Sequence, residues 1–272
     1  MKNVLCVFSG KAYDATTRQI VERAPKMGVD EVLIYDERDL VKSGFREVND
    51  WLFAATSRIH GEGTRGAVYQ HGHGWCSWKS HIIQMAMDRY NPGDVIMYLD
   101  ADCIPLAPFG QLFDECAYER GVFLFEEQAS NLRFTKRGCR LVMGIPDGDG
   151  PHACGRFSLW QKGSFLARQI LNEWWAYSIN RECQLWDGSR LADLGGNACG
   201  DPPEYFRHST EQSVLSNLAI KYKLPLHRAP DAGGFPVKPG DKDADLYPVQ
   251  LFEQKWCEGD RSDVSGSSYR NI

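Results

Sequence analysis

The sequence predicts an α/β chain, with a mostly parallel central sheet flanked by helices. Three observations carry this prediction. Val95 to Leu99 form an uninterrupted apolar run that ends in two carboxylates, Asp100 and Asp102. Such a run reads as a strand buried on both faces, as parallel strands are. The first 36 residues read as strand, helix, strand, and further apolar runs alternate with segments of helical periodicity along the chain.

The elements follow in order. Asn3 to Ser9 is the first strand, followed by a loop containing Gly10, Lys11 and Tyr13. A helix is predicted from Thr16, where Ile20, Val21 and Ala24 share helical spacing, with Gly28 closing it. Residues 31 to 36 make a second strand ending at Asp36, and 45 to 59 fit an amphipathic helix. A glycine-rich, basic and aromatic loop holding His71 and His73 leads into a helix that buries Ile82, Ile83, Met85 and Ala86. Asn91-Pro92-Gly93-Asp94 stops that helix before the Asp100 strand. Strands are predicted at 121–125 and 156–161, with 126–155 between them as a variable excursion. A long helix over 163–180 places Leu166, Ile170 and Trp174 on one stripe. Residues 185–206 read as loop, 209–222 as the last helix and 224–227 as a short strand. The tail from Asp231 is polar and rich in Pro and Gly, with weak signals of order.

At 272 residues the chain is long enough for a full core, and no linker or repeat divides it, so one domain is expected over 1–272. A net charge of −5 argues against nucleic acid as the main partner. The longest apolar runs fall well short of a membrane span, and the N-terminal run is too short for a signal-peptide core. Nine cysteines, an odd number with no CxxC pair, point to free thiols in a reducing, cytoplasmic setting. The absence of GxGxxG disfavours a dinucleotide fold of the usual kind.

Carboxylates at the carboxyl end of a buried strand sit where open α/β sheets bind ligands. Two hard oxygen donors there suit Mg²⁺ or Mn²⁺ carrying phosphates. A purely local alternative is that Asp100 and Asp102 cap a turn.

Gly74-Trp75-x-x-Trp78-Lys79, a helix, and then Gly93-Asp94 running to Asp100-Ala-Asp102 resemble the motifs of GT-A-fold glycosyltransferases. These are of the small type found in bacterial surface-polysaccharide pathways and large DNA viruses. The order continues with Cys154 to Trp160, then His208-x-x-Glu211-Gln212-Ser213, then His227-Arg228-x-Pro230. Ser80 stands where the pattern often has Pro, and Glu211 where it usually has Asp. The resemblance implies a UDP-sugar donor, an oligosaccharide or glycan acceptor, and Mn²⁺ or Mg²⁺ as cofactor. Residues 1–106 would be the nucleotide-binding half, and 107–272 the half that binds acceptor and sugar, with the tail.

By the same resemblance Asp102 contacts the metal, and Asp100 contacts the metal or the ribose. His227 is a candidate third ligand or an ordinary strand-end residue. Lys79 reads either as a point charge on the diphosphate or as a solvated lysine in the first helical turn. Trp75 and Trp78 read as donor-pocket walls or as core. Ser9, Tyr13 and Asp36 are placed to meet the base or ribose, with a strand-end turn as the plain alternative for Asp36. Arg156 lies in the segment that faces the donor sugar. Glu211 and Gln212 are the catalytic candidates, although Ser209-Thr-Glu-Gln212 also spells a capping box. Rival readings are a haloacid-dehalogenase-like phosphatase, whose DxDxT pattern would need a Thr where this chain has Ile104, and a non-catalytic nucleotide- or carbohydrate-binding protein.

Overall fold

The computed structural model describes residues 1–53, 73–184, 204–205 and 208–255. Its centre is a six-stranded sheet in the order β2-β1-β3-β6-β5-β7. The strands are β1 (Asn3–Phe8), β2 (Glu31–Tyr35), β3 (Val95–Asp100), β5 (Val122–Ser130), β6 (Pro151–Gln161) and β7 (Leu226–His227). β6 runs antiparallel to both of its neighbours, and every other pairing is parallel. The predicted architecture is therefore the observed one.

Alternation along the strands explains the two cores. Val4, Cys6, Ile96, Tyr98 and Trp160 point to one face of the sheet, and Leu5, Val7, Val95, Met97 and Leu159 to the other. Each set is fully buried, so these strands need apolar residues at every position. The helices that cover the two faces are α1 (Asp14–Arg23), α2 (Glu37–Lys42), α3 (Lys79–Met87), α4 (Gln111–Tyr118), α5 (Phe165–Ser178) and α6 (Thr210–Tyr222). α3, α5 and α6 supply Ile82, Ile83, Ile170, Trp174 and Leu215 to the first core. α1 and α4 supply Ile20, Leu112 and Phe113 to the second. Among the described residues, no helix is long and apolar enough to cross a membrane, and the seven cysteines are free thiols.

Three local expectations change. The helix expected over 45–59 forms one turn at Phe45–Val48 and breaks at Asn49, whose amide donates to the Phe45 carbonyl at 2.9 Å. Residues 50–53 are helical again, and the remainder lies outside the described residues. The excursion expected over 126–155 is sheet at both ends, because β5 runs on to Ser130 and β6 begins at Pro151, with short helices at Asn131–Phe134 and Arg137–Val142 between them. Register shifts after Leu124 and Glu126 break the alternation that would have revealed it.

The third change is the tail. Tyr247, Leu251 and Phe252 are fully buried in the second core. The buried Arg228 donates to the carbonyls of Gly234, Lys242, Asp243 and Tyr247 at 2.7–3.2 Å. A short strand β8 (Phe252–Gln254) pairs antiparallel with β4 (Cys103–Pro105), directly after Asp102. The apolar anchors are too irregularly spaced for a sequence period, and what orders them is long-range pairing.

Candidate functional site

β1 and β3 pair in parallel with Phe8 opposite Asp100, and β2 places Tyr35 opposite Phe8. Ser9, Asp36 and Asp100 therefore stand on one rim of the sheet, at the carboxyl ends of adjacent strands. Tyr98 Oη donates to Asp100 Oδ1 from within the same strand.

Lys79 meets this rim from α3. Its Nζ lies 3.1 Å from Asp100 Oδ1, 3.2 Å from Glu211 Oε1 and 2.9 Å from the Gly155 carbonyl oxygen. The residue is 4% exposed. Burial works against its charge, but Asp100 and Glu211 outweigh that and hold its pKa well above the usual lysine value. The solvated reading of Lys79 is corrected here: the buried ammonium donates to the Gly155 carbonyl and to Asp100 and pairs with Glu211.

The turn before α3 is what aims Lys79. Gly74, Trp75 and Cys76 are consecutive left-handed residues, with φ of 63°, 56° and 56°. That conformation costs roughly 1–2 kcal/mol at each non-glycine position. Packing and hydrogen bonds hold it: Trp75 is 1% exposed, and Gln184 Nε2 donates to the Trp75 carbonyl and to Ser77 Oγ at 2.9 and 2.8 Å. A Cβ at Gly74 would lie 2.8 Å from the Phe53 ring, so glycine is also needed there for room. Trp78 stacks on Phe8 with ring centroids 3.8 Å apart. Both tryptophans are core.

The capping box expected at Ser209 does not form. Ser209 makes no side-chain cap, and its N–H donates instead to Ser213 Oγ at 3.0 Å. Gln212 Nε2 donates to the Ala153 carbonyl at 2.8 Å, tying α6 to β6. Thr210 has φ of 51°, which is unusual for a β-branched residue. Its hydroxyl donates to Glu211 Oε2 at 2.8 Å. The strained first residue of α6 thus turns the Glu211 carboxylate away from capping and toward Lys79. Gly155 lies against it, since a Cβ there would sit 3.4 Å from Glu211 Oε1.

Asp102 is 9% exposed and has neutral partners, Gln254 Nε2 at 2.8 Å and Cys103 Sγ at 3.3 Å. Among the described residues it has no ion pair. Burial, and then the charge of Asp100, raise its pKa above the ordinary carboxylate value. Two mutually repelling carboxylates, one buried with no ion-pair partner among the described residues, are a donor set of the kind that suits a divalent ion. No cluster of three or more His, Cys, Asp or Glu able to hold a metal occurs among the described residues. Two carboxylates with substrate phosphates and water are a sufficient set for Mg²⁺.

Arg156 bridges Glu127 at 3.1 Å and Asp231 at 2.8 Å, and its charge reaches Asp102. Asp36 caps α2 in a reciprocal capping box with Asp39 and pairs with Arg38. The strand-end reading is therefore structurally complete for Asp36. Ser9 N–H donates to the Tyr35 carbonyl at 2.8 Å, and its hydroxyl bonds Thr17 Oγ1 at 2.7 Å. Tyr13 ends the short turn after β1. His71 lies outside the described residues, as does the side chain of His73.

His227, the candidate third ligand, sits between two carboxylates: Nε2 is 2.9 Å from Glu119 and Nδ1 is 3.1 Å from Asp243, which gives the ring a structural role in the fold. The ring stacks on Phe123 at 3.7 Å. Burial alone would lower its pKa, but the hydrogen bonds and charges of Asp243 and Glu119 raise it. With a raised folded-state pKa, its stabilisation is complete below the ordinary value of about 6.5 and is lost as pH rises through the folded value. Urea unfolding of wild type should therefore lose stability over that rise, relative to His227→Gln. Parallel curves for the two proteins would show that the ring does not titrate this way.

Sequence reasoning missed Tyr98, Cys76, Gln254, Glu127 and Asp231. Tyr98 and Cys76 were hidden as core aromatic and odd thiol. Gln254 sits in a tail with no period. Asp231 was visible only as a loop residue.

No protein-family model matches the chain, and no curated protein sequence matches it at a significant level. Among solved structures it is similar to apo mouse xyloside xylosyltransferase 1, at 14% identity and a TM-score of 0.41, covering 84% of each chain. It is similar to the bifunctional glycosyltransferase WbbM at 11% identity and a TM-score of 0.43, covering 80% of this chain and 37% of that one. A glycosyltransferase involved in glycosylation of the major capsid of PBCV-1 is similar at 12% identity and a TM-score of 0.40, covering 96% of this chain and 99% of that chain. These are likenesses of fold.

Proposed function

We propose that the chain is a divalent-metal-dependent glycosyltransferase that moves a sugar from a UDP-sugar to a hydroxyl of a glycan acceptor. The observation that carries this reading is the cluster at the sheet's carboxyl rim. Asp100 and Glu211 meet there around the ammonium of Lys79, and Asp102, two residues on from Asp100, is buried with neutral hydrogen-bond partners. With Arg156 already paired to Glu127 and Asp231, these three carboxylates against the one ammonium leave a deficit of about two charges, which a divalent cation would fill.

Asp102 and Asp100 would hold Mn²⁺ or Mg²⁺, and the ion would neutralise the charge that develops on a leaving diphosphate. The chain's own residues do the rest. Gln254 and Cys103 orient Asp102, and Tyr98 orients Asp100. Glu211 presents its carboxylate beside the metal site, where it either takes the acceptor's proton or stabilises a positively charged sugar centre. Ser9, Tyr13 and Asp36, on the same rim, are the proposed base and ribose contacts. Ile104 is fully buried in β4 and offers no hydroxyl, which weighs against the phosphatase reading.

Thermal shift with nucleoside diphosphates, with and without Mn²⁺, tests the reading. Stabilisation by UDP that requires Mn²⁺ is expected, at about 2.7 kcal/mol when the ligand is a hundredfold above Kd. Mass spectrometry should then find UDP released from one UDP-sugar of a panel. No response to any nucleotide would overturn the proposal.

A further inference from the structure

We propose that Lys79 is a positioning residue that couples a cation at Asp100 and Asp102 to the carboxylate of Glu211, and is not a clamp on the donor's phosphates. The proposal rests on the metal-dependent reading above.

The geometry supports it in three ways. The ammonium donates to the Gly155 carbonyl at 2.9 Å and to Asp100 Oδ2 at 3.4 Å and pairs with Glu211 Oε1 at 3.2 Å, so two carboxylates and a carbonyl already surround it. The stem is enclosed: Lys79 is 4% exposed, and its Nζ lies 5.3 Å over the Tyr98 ring. The left-handed turn at 74–76, held by Gln184, fixes where α3 begins. The same charge therefore serves two carboxylates that belong to different elements, β3 and α6. A cation on Asp100 competes with Lys79 for that carboxylate and shifts Lys79 toward Glu211. Conversely, Glu211 draws Lys79 off Asp100 and favours the cation. Such coupling is reciprocal.

The test is Mn²⁺ affinity without nucleotide, read from the electron paramagnetic resonance signal of free Mn²⁺. Glu211→Gln should weaken Mn²⁺ binding ~10-fold, although Glu211 is not a ligand, and Lys79→Met should tighten it by a similar factor. In the Lys79→Met background, Glu211→Gln should change the affinity no more than about twofold, because its effect passes through the ammonium. UDP affinity at saturating Mn²⁺ should survive Lys79→Met.

Additive effects in the double variant, or loss of UDP binding in Lys79→Met, would overturn the coupling and restore the phosphate clamp. If Lys79→Met does not fold, Glu211→Gln alone decides, since an unchanged Mn²⁺ affinity also overturns the coupling. Wild type that binds no Mn²⁺ would instead sink the metal-dependent reading, so the two failures are distinguishable.

Discussion

Asp102→Asn should abolish Mn²⁺-dependent nucleotide binding and lower kcat/KM at least about 100-fold, equivalent to ~3 kcal/mol of transition-state stabilisation. It should do so without harming the fold. Asparagine keeps an oxygen to accept from Gln254 Nε2, which now bonds Asp102 Oδ2 at 2.8 Å. What it removes is a buried negative charge that already repels Asp100. Relieving an uncompensated buried charge is neutral or stabilising, so the melting temperature of the metal-free variant should match or exceed that of wild type. A purely structural Asp102 predicts the reverse, with lower stability and retained turnover. Calorimetry on the metal-free protein and Mn²⁺ titration separate the two cases, and turnover that survives the substitution would refute the metal assignment.

The sequence showed the sheet well because its strands are local objects. Val95 to Leu99 are apolar at every position, as a strand buried on both faces must be. The two aspartates after them could stand only at its end. Glu211 was legible as a candidate, but its setting was not. Ser209 and Gln212 have capping-box spacing, and spacing cannot reveal that Thr210 adopts a φ of 51° and redirects the turn. The setting of Lys79 was hidden for a related reason. Its neighbours in sequence say first turn of a helix, whereas its surroundings are set by Asp100, Gly155 and Glu211 on three other elements. Gln254 could not be found at all. It reaches Asp102 across 152 residues through the pairing of β8 with β4, and no period marks that strand.

Glu211→Gln is the complementary substitution, with its largest effect expected on turnover. At saturating Mn²⁺ and donor, turnover should fall about 10²- to 10⁴-fold, the range for losing a positioned acid or base, while UDP affinity changes no more than about threefold. Glutamine is nearly isosteric and can still accept from the Thr210 hydroxyl, which is 2.8 Å from the carboxylate. The start of α6 should therefore keep its shape. Gln212→Ala provides the internal contrast. The Gln212 side chain ties α6 to β6 through the Ala153 carbonyl at 2.8 Å, so its loss should cost about 1 kcal/mol of stability and leave turnover within a few-fold of wild type. Equal losses of turnover in the two variants would mean that both residues only hold α6 in place. Loss in Glu211→Gln alone separates chemistry from architecture, because the two side chains are adjacent in sequence and leave the same turn of helix toward different neighbours.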